Sequence, residues 1–103
     1  MKRLVILGAG ESGVGTALLG KEKAYDVFVS DKGKIKKKYK EVLIHNEIEW
    51  EEEKHTESKI LNADVVMKSP GIPDKVALVQ KLLANNILVV SEIEFASQFT
   101  KAN

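Results

Sequence analysis

The chain has 103 residues, 44% of them hydrophobic and 30% charged, which suits one compact domain with a single core. It contains no cysteine, which excludes thiolate metal sites, cysteine nucleophiles and disulfides and is compatible with a reducing cytoplasm. Sixteen Lys and Arg against 15 Asp and Glu leave a net charge of +1, which argues against a nucleic-acid partner. The first apolar run, residues 4–7, is too short to be a membrane span or a signal sequence.

The first half of the chain alternates strand and helix patterns. The continuous apolar run at residues 4–7 is closed by Gly8 and is typical of a strand buried on both faces of a parallel sheet. Helical spacing of apolar residues predicts helices over about residues 12–23 and 34–45. Residues 27–29 read as a second strand, and Ile48 and Trp50 alternate with glutamates as in a short edge strand. Thr56 is placed to cap one or two further helical turns.

The second half repeats this alternation. Residues 64–68 form a strand pattern that runs into a loop with two prolines and a glycine at residues 69–73. Asp74 is placed to cap a helix that reaches about residue 85, and residues 87–90 read as the fifth strand. Ser91 and Glu94 have the spacing of a capping box and open a last helix toward Phe99. The predicted buried stripe of the fourth helix is Val76, Val79, Leu82 and Leu83.

Five strands alternating with helices indicate an α/β fold. Because parallel strands need right-handed crossovers, we expect a Rossmann-like open five-stranded parallel sheet in the order 3-2-1-4-5, with helices on both faces. Residues 1–103 are expected to form this single domain. In such a sheet a ligand lies at the carboxyl ends of the strands, where the strand order reverses.

The loop after the first strand has the sequence Gly-Ala-Gly-Glu-Ser-Gly at residues 8–13. Gly8 allows the tight turn, Gly10 lets the backbone approach a phosphate, and Gly13 lets helix and strand pack closely. The helix N-terminus then aims free amides at an anion. Ser12 adds a hydroxyl group, and Glu11 is expected to point to solvent. The pattern predicts a ligand that contains a phosphorylated nucleotide.

Two other loops are expected at the same crevice. Asp31 ends the second strand 21 residues after Gly10, where it either accepts hydrogen bonds from a ribose or serves as a structural turn residue. Gly71 lies between Pro70 and Pro73, where it either lets a ligand approach backbone amides or belongs to a rigid turn. Its position after the fourth strand favours the ligand.

Other motifs carry less functional information. Residues 15–21 match the first seven positions of a P-loop, but Glu22 replaces the required Ser or Thr and the stretch is predicted to be helical, so we reject it. The six lysines between residues 32 and 40 are interpreted as a solvated helix face. His45 and His55 lack partners at metal-ligand spacing and are expected at the surface. We find no catalytic constellation and no metal site.

Four segments together resemble the N-terminal domain of the bacterial Mur ligases over essentially the whole chain. They are residues 8–13, Ser30-Asp31, Ser-Pro-Gly-Ile-Pro at 69–73 and Ser-Glu-Ile-Glu at 91–94. The Ser-Pro-Gly sequence favours the branch that adds D-glutamate over the branch that adds L-alanine. The resemblance implies a domain that binds the UDP part of UDP-N-acetylmuramoyl-L-alanine for peptidoglycan precursor synthesis.

The resemblance also implies what lies outside this domain. A central ATPase domain, with ATP and magnesium, and a C-terminal domain would form the amide bond, so the 103 residues alone would be inactive. Among the residues here, Gly10, Glu11, Ser12 and Gly13 would lie against the diphosphate. The uracil would be held by Asp31, Lys32 and Gly33, the last two through their backbone. The loop Ser69-Pro70-Gly71 would close the site through its glycine.

Two alternatives stay open at this point. The same glycine loop and Asp31 would serve an NAD(P)-binding Rossmann domain of a dehydrogenase or regulatory protein. A domain with an empty crevice would only mediate interactions. For UDP we expect weak binding, on the order of 0.1 to 1 mM, because contacts from the other domains are missing.

Overall fold

Strands and helices alternate along residues 1–99, the part of the chain that the computed structural model describes. The strands pair in parallel and form one sheet, which confirms the predicted fold class and strand order. Residues 100–103, which belong to the predicted domain, lie outside the described part. The elements in chain order are β1 (Arg3–Leu7), α1 (Glu11–Glu22), β2 (Asp26–Ser30), α2 (Lys37–His45), β3 (Glu49–Glu51), α3 (Glu57–Ile60), β4 (Val65–Lys68), α4 (Ala77–Ala84), β5 (Leu88–Val90) and α5 (Glu92–Ser97). In space the strands follow the order β3-β2-β1-β4-β5.

The central strand β1 is buried on both faces, which explains its continuous apolar sequence. Leu4 and Ile6 belong to a core that includes residues of α1, α2 and α5. Val5 and Leu7 belong to a second core on the opposite face, which includes residues of α3 and α4. Successive side chains of a strand point to opposite faces, so one strand supplies both cores.

Two predicted helix starts are wrong. The second helix begins at Lys37 rather than near residue 34, because the segment before it is extended and the buried Ile35 donates its N–H to Glu52 Oε1 at 2.9 Å. The fourth helix begins at Ala77, after an extended Val76, and Asp74 does not cap it. The Asp74 carboxylate instead lies 3.3 Å from Lys68 Nζ.

Side-chain predictions for three helices had mixed outcomes. The capping box is confirmed, since Ser91 Oγ accepts from the Glu94 N–H at 3.1 Å and the Ser91 N–H donates to Glu94 Oε1 at 2.8 Å. Thr56 precedes α3 as expected, but its hydroxyl group accepts no N–H from the helix and donates to Glu51 instead. Leu83 was expected on the buried stripe of α4 and is 48% exposed.

Helix α1 lies so close to β1 that glycine is required at the contact. A Cβ atom at Gly13 would lie 1.9 Å from the Gly8 carbonyl oxygen, which belongs to the backbone and cannot rotate away. Farther along the helix, a Cβ at Gly20 would lie 2.5 Å from Leu4 Cδ2. The glycines at positions 13 and 20 therefore set the distance between helix and sheet.

The variant Gly13→Ala is expected to lose about 3 kcal/mol of unfolding free energy, because the added methyl group overpacks a backbone contact. The measurement is chemical denaturation. Gly15→Ala is the matched control on the same helix, since its Cβ would meet only Glu92 Oε2 at 3.9 Å. The control should gain roughly 0.5–1 kcal/mol from helix propensity. Equal stability of the two variants would contradict the assigned contact.

Candidate functional site

A cavity of about 680 Å³ lies at the carboxyl ends of β1, β2 and β4. The loops that follow these three strands line it, together with residues of α4 and the segment after β3. In open α/β folds, ligands bind at this edge of the sheet, next to the point where the strand order reverses. The predicted site residues that line the cavity are Gly8, Gly10, Asp31, Lys32, Ser69 and Gly71.

The other predicted site residues, Glu11, Ser12, Gly13, Gly33 and Pro70, do not line this cavity. Glu11 is exposed, as expected, and Gly13 is buried beneath Gly8. Pro70 lines a second cavity, of about 530 Å³, between β4, α4, β5 and α5. The cavity at the glycine loop is therefore bounded by the start of α1 but is not lined by its side chains.

The start of α1 leaves backbone donors next to the cavity. Its first intrahelical hydrogen bond joins the Val14 N–H to the Gly10 carbonyl at 2.9 Å. Gly10 is the N-cap residue and has no side chain to accept from the first turn. The amides of residues 11–13 thus lack intrahelical acceptors, and they carry the partial positive charge of a helix N-terminus.

The glycines of the loops fall into two kinds. Gly8 has φ of +99°, and a Cβ there would lie 2.7 Å from Ser69 Cβ, so glycine is needed for the protein's own packing. At Gly10 and Gly71 an added Cβ would meet no protein atom within 4 Å. Gly10 also has an extended backbone that any residue adopts. The space beside Gly10 and Gly71 is therefore open to a ligand.

The carboxylate of Asp31 joins the loops after β1 and β2. Its Oδ2 accepts from the Ala9 N–H at 2.7 Å, and its Oδ1 accepts from the Gly33 N–H at 2.8 Å. Both contacts are those of a structural turn residue, one of the two roles that the sequence left open. The Gly33 carbonyl also has a partner, since it accepts from the Glu53 N–H at 3.0 Å. Both backbone polar groups of Gly33 thus serve the turn.

The loop after β4 is braced by the last residue of that strand. Lys68 Nζ donates to the Ile72 carbonyl and pairs with Asp74. Inside the loop the Ile72 N–H donates to the Ser69 carbonyl at 3.0 Å. These contacts hold the backbone on both sides of Gly71, which itself is exposed at the cavity.

His55 does not lie free at the surface, contrary to the prediction from the sequence. It is half-buried, lines the cavity, and has its Nδ1 atom 2.7 Å from Ser30 Oγ. Ser30 Oγ in turn lies 2.7 Å from Glu51 Oε2, and the Thr56 N–H donates to the same oxygen at 2.7 Å. Ser30 is 0% exposed and Glu51 is 7% exposed.

The sequence held one signal for this polar cluster. Ser30 is a polar residue at the end of an otherwise apolar strand, and the strand pairing places it beside Glu51. The register of β3 against β2 could not be read from the sequence, and His55 follows in the loop after that strand. The cluster was therefore missed.

Opposing effects act on the pKa of each titratable group in this cluster. Burial raises the pKa of Glu51, but hydrogen bonds from Thr56 and Ser30 and the charge of Lys54 together hold it below its ordinary value of 4.5. Burial lowers the pKa of His55 below its ordinary value of 6.5, although Glu51 and Asp31 act in the other direction. Near neutral pH the cluster thus contains an ionised carboxylate and a neutral imidazole.

The stretch 15–21 that resembles a P-loop lies inside helix α1, as expected. Over the described residues 1–99, no group of three or more His, Asp or Glu side chains is arranged to hold a metal ion. No helix of the described part is long and apolar enough to cross a membrane.

Comparison with known proteins agrees with the resemblance seen in the sequence. Residues 3–78 match the family described as the MurD N-terminal domain. The chain belongs to this family. The MurD N-terminal domain of this chain is 71% identical over 100 residues to UDP-N-acetylmuramoylalanine--D-glutamate ligase of Christiangramia forsetii, covering 97% of the chain and 22% of the relative. It is 58% identical to the same-named ligase of Bacteroides thetaiotaomicron, covering 99% of the chain and 23% of the relative.

Solved structures show the same fold at low identity. A murein peptide ligase from Psychrobacter arcticus matches with a TM-score of 0.83 at 21% identity, over 95% of this chain and 20% of that one. A pseudomurein peptide ligase type C from Methanothermus fervidus matches with a TM-score of 0.82 at 24% identity, over 97% of this chain and 21% of that one. The chain spans less than a quarter of each of these proteins.

In this MurD N-terminal domain, Asp31→Ala is expected to lower the unfolding free energy by about 1–3 kcal/mol, because the buried Ala9 N–H loses its acceptor. Denaturation measures the loss, and hydrogen exchange should accelerate at Ala9. The control is Asp26→Ala, which removes only a surface ion pair with Arg3 at 2.8 Å and should cost about 0.5 kcal/mol. An Asp31 variant as stable as the control would show that the carboxylate does not join the loops.

The depressed pKa of Glu51 predicts an acid-dependent loss of stability. A group whose pKa is lower in the folded state stabilises the fold above its unfolded pKa, and this contribution disappears as the pH falls through the folded pKa. Glu51→Gln should therefore remove about 1–3 kcal/mol at neutral pH and flatten the stability profile below pH 4.5. Glu41→Gln, at an exposed position of α2, is the control. A profile unchanged by Glu51→Gln would contradict an ionised, hydrogen-bonded carboxylate.

Proposed function

We propose that this domain binds the UDP part of UDP-N-acetylmuramoyl-L-alanine, as the N-terminal domain of a cytoplasmic ATP-dependent ligase that adds D-glutamate in peptidoglycan precursor synthesis. The observation that carries the proposal is the convergence of three loops on one cavity at the carboxyl ends of β1, β2 and β4. The names of the relatives, which are D-glutamate ligases, support the same substrate.

The start of α1 supports binding of the diphosphate. Gly10 lines the cavity and leaves open space beside its backbone. The amides of Glu11, Ser12 and Gly13 follow it at the helix N-terminus, where backbone donors and the helix dipole favour an anion. In this proposal the exposed Glu11 side chain points away from the phosphates, and Ser12 contributes its amide.

The far side of the cavity would hold the uracil. Lys32 lines the cavity directly after Asp31, whose carboxylate fixes the turn through the Ala9 and Gly33 amides. We assign Lys32 to contact with the nucleoside and Asp31 and Gly33 to the shape of the turn. Ser69 and Gly71 would close the cavity from the β4 side, with Pro70 holding the loop.

The contacts of Asp31 and the names of the relatives both bear on the NAD-binding alternative. A dinucleotide site uses the acidic residue after the second strand to accept hydrogen bonds from ribose hydroxyls. Here each carboxylate oxygen of Asp31 accepts one backbone N–H group, which leaves one lone pair on each oxygen for a further donor. The curated relatives also bear ligase names and not dehydrogenase names.

The ligase reaction itself belongs to the proposal for the whole protein. The curated relatives are four to five times as long as this chain, which covers 22% and 23% of two of them. We assign ATP, Mg²⁺ and the amino-acid substrate to the remaining part of such a protein. The 103-residue chain is expected to bind UDP without catalysing amide-bond formation.

Titration of the 103-residue chain with UDP, followed by amide NMR shifts, tests the binding proposal. We expect a Kd on the order of 0.1 to 1 mM, with the shifts concentrated at residues 10–13. Gly10→Val should weaken binding at least tenfold and keep the fold, because its Cβ meets no protein atom within 4 Å. Gly15→Ala on the exposed side of α1 is the control and should bind as the wild type does.

Two results of this titration would contradict the proposal. One is the absence of any shift at residues 10–13 at millimolar UDP, in a chain whose spectrum shows a folded protein. The other is tighter binding of NADH than of UDP, which would establish the dehydrogenase-type alternative.

A further inference from the structure

A single contact, at the Nδ1 atom, fixes the orientation of the His55 ring. Its Nδ1 atom lies 2.7 Å from Ser30 Oγ, and Ser30 is fully buried. The two nitrogens of an imidazole point in different directions, so Nε2 faces away from this buried contact. No hydrogen bond joins Nε2 to another residue in the described range 1–99, and the ring lines the cavity.

The hydrogen-bond geometry also fixes which nitrogen carries the proton. Ser30 Oγ has one hydrogen and lies 2.7 Å from the ionised Glu51 carboxylate and 3.2 Å from the Lys54 carbonyl oxygen, both of which can only accept. The hydroxyl hydrogen therefore points toward these two acceptors, and the serine oxygen is left to accept from His55. The neutral ring must then carry its proton on Nδ1 and present Nε2 as an acceptor.

The charged groups around the ring are mixed in sign. Glu51 and Asp31 favour the protonated ring, and Lys32 opposes it. Glu53 and Lys54 line the same cavity. Burial disfavours the charged form, and the pKa of His55 is held below its ordinary value of 6.5. The acceptor form of the ring therefore predominates at neutral pH and is lost as the medium becomes acidic.

Resting on the proposed function, we propose that Nε2 of neutral His55 accepts a hydrogen bond from the imide N3–H of uracil and so selects uracil over cytosine. Uracil carries a hydrogen on N3, whereas the N3 of cytosine is itself an acceptor. The Asp31 carboxylate, another acceptor in the lining of the cavity, already accepts the N–H groups of Ala9 and Gly33. His55 would thus be a binding residue held in position by Ser30 and Glu51.

The decisive measurement is the ratio of the Kd values for CDP and UDP as a function of pH. Both ligands carry the same diphosphate, so its protonation cancels in the ratio. We expect UDP to bind about 3- to 10-fold more tightly than CDP at pH 8, the effect of one hydrogen bond. The preference should fall as the pH is lowered through the pKa of His55, which lies below 6.5, because protonated Nε2 becomes a donor and then suits the N3 acceptor of cytosine.

Variants separate this role from a structural one. His55→Gln keeps a polar side chain whose amide both donates and accepts, so it should bind UDP and CDP equally at every pH. His45→Gln is the matched control at an exposed position of α2 and should keep the ratio and its pH dependence. Unchanged preference in the His55 variant, with UDP still bound, would overturn the inference and leave the proposed function standing.

Two further outcomes are informative. Tighter binding of both nucleotides at low pH would place His55 against the phosphates and overturn the inference. No binding of UDP to any variant at any pH would overturn the proposed function and the inference together.

The tautomer can be tested without any nucleotide. Nitrogen-15 NMR of the wild-type side chain at pH 8 should show the Nδ1–H form of His55, and Ser30→Ala should release the ring toward the Nε2–H form. An Nε2–H tautomer in the folded wild type would overturn the inference, because that nitrogen would then be a donor.

Discussion

The contact between the start of helix α1 and the turn after β1 sets the geometry on which the rest of the site depends. Gly13 sits so close to the Gly8 carbonyl that a single added carbon would lie 1.9 Å from that oxygen. This approach places the unpaired amides of the first helical turn at the carboxyl edge of the sheet. Gly8 also packs against the β4 loop, since a Cβ on Gly8 would lie 2.7 Å from Ser69 Cβ. Close packing around Gly8 therefore joins two of the three loops.

The third loop, which follows β2, is held against the others by hydrogen bonds and not by close packing. Asp31 holds the Ala9 and Gly33 amides, and its neighbour Ser30 bridges Glu51 and His55. No fully buried side-chain polar atom of residues 1–99 lacks a hydrogen-bond partner. A buried carboxylate is costly unless it is fully hydrogen-bonded. The cluster is therefore stable in only one arrangement of its side chains. The end of β2 thereby fixes the position of the segment that contains His55.

The sequence predicted the sheet because its information is local and periodic. The apolar run of β1, the glycine loop and the Ser91 capping box each depend on neighbours within a few residues, and the strand order follows from right-handed crossovers. What the sequence did not predict depends on long-range partners. Asp74 has the chemistry of an N-cap, but α4 begins only at Ala77, and the Asp74 carboxylate lies beside Lys68 instead. In the same way, Thr56 was expected to cap α3 but donates to Glu51.

In the candidate site, too, features with a local sequence signal were predicted, and features that depend on long-range partners were not. Glycine loops are recognised from spacing, and six of the predicted site residues do line the cavity. His55 was missed because its role depends on the parallel register that pairs Ser30 with Glu51. A histidine alone in a loop carries no signal until that register is known.

The two kinds of glycine in the loops separate what the fold needs from what a ligand needs. Gly8 and Gly13 are required by contacts inside the protein, so their presence would be explained even if the cavity stayed empty. Gly10 and Gly71 have no such explanation, since a Cβ at either would meet no protein atom within 4 Å. A Cβ at either position would therefore clash with nothing in the protein, and a side chain would take up room at the cavity. In the proposed function the ligand uses this room, with the diphosphate against Gly10 and the β4 loop closing the cavity at Gly71.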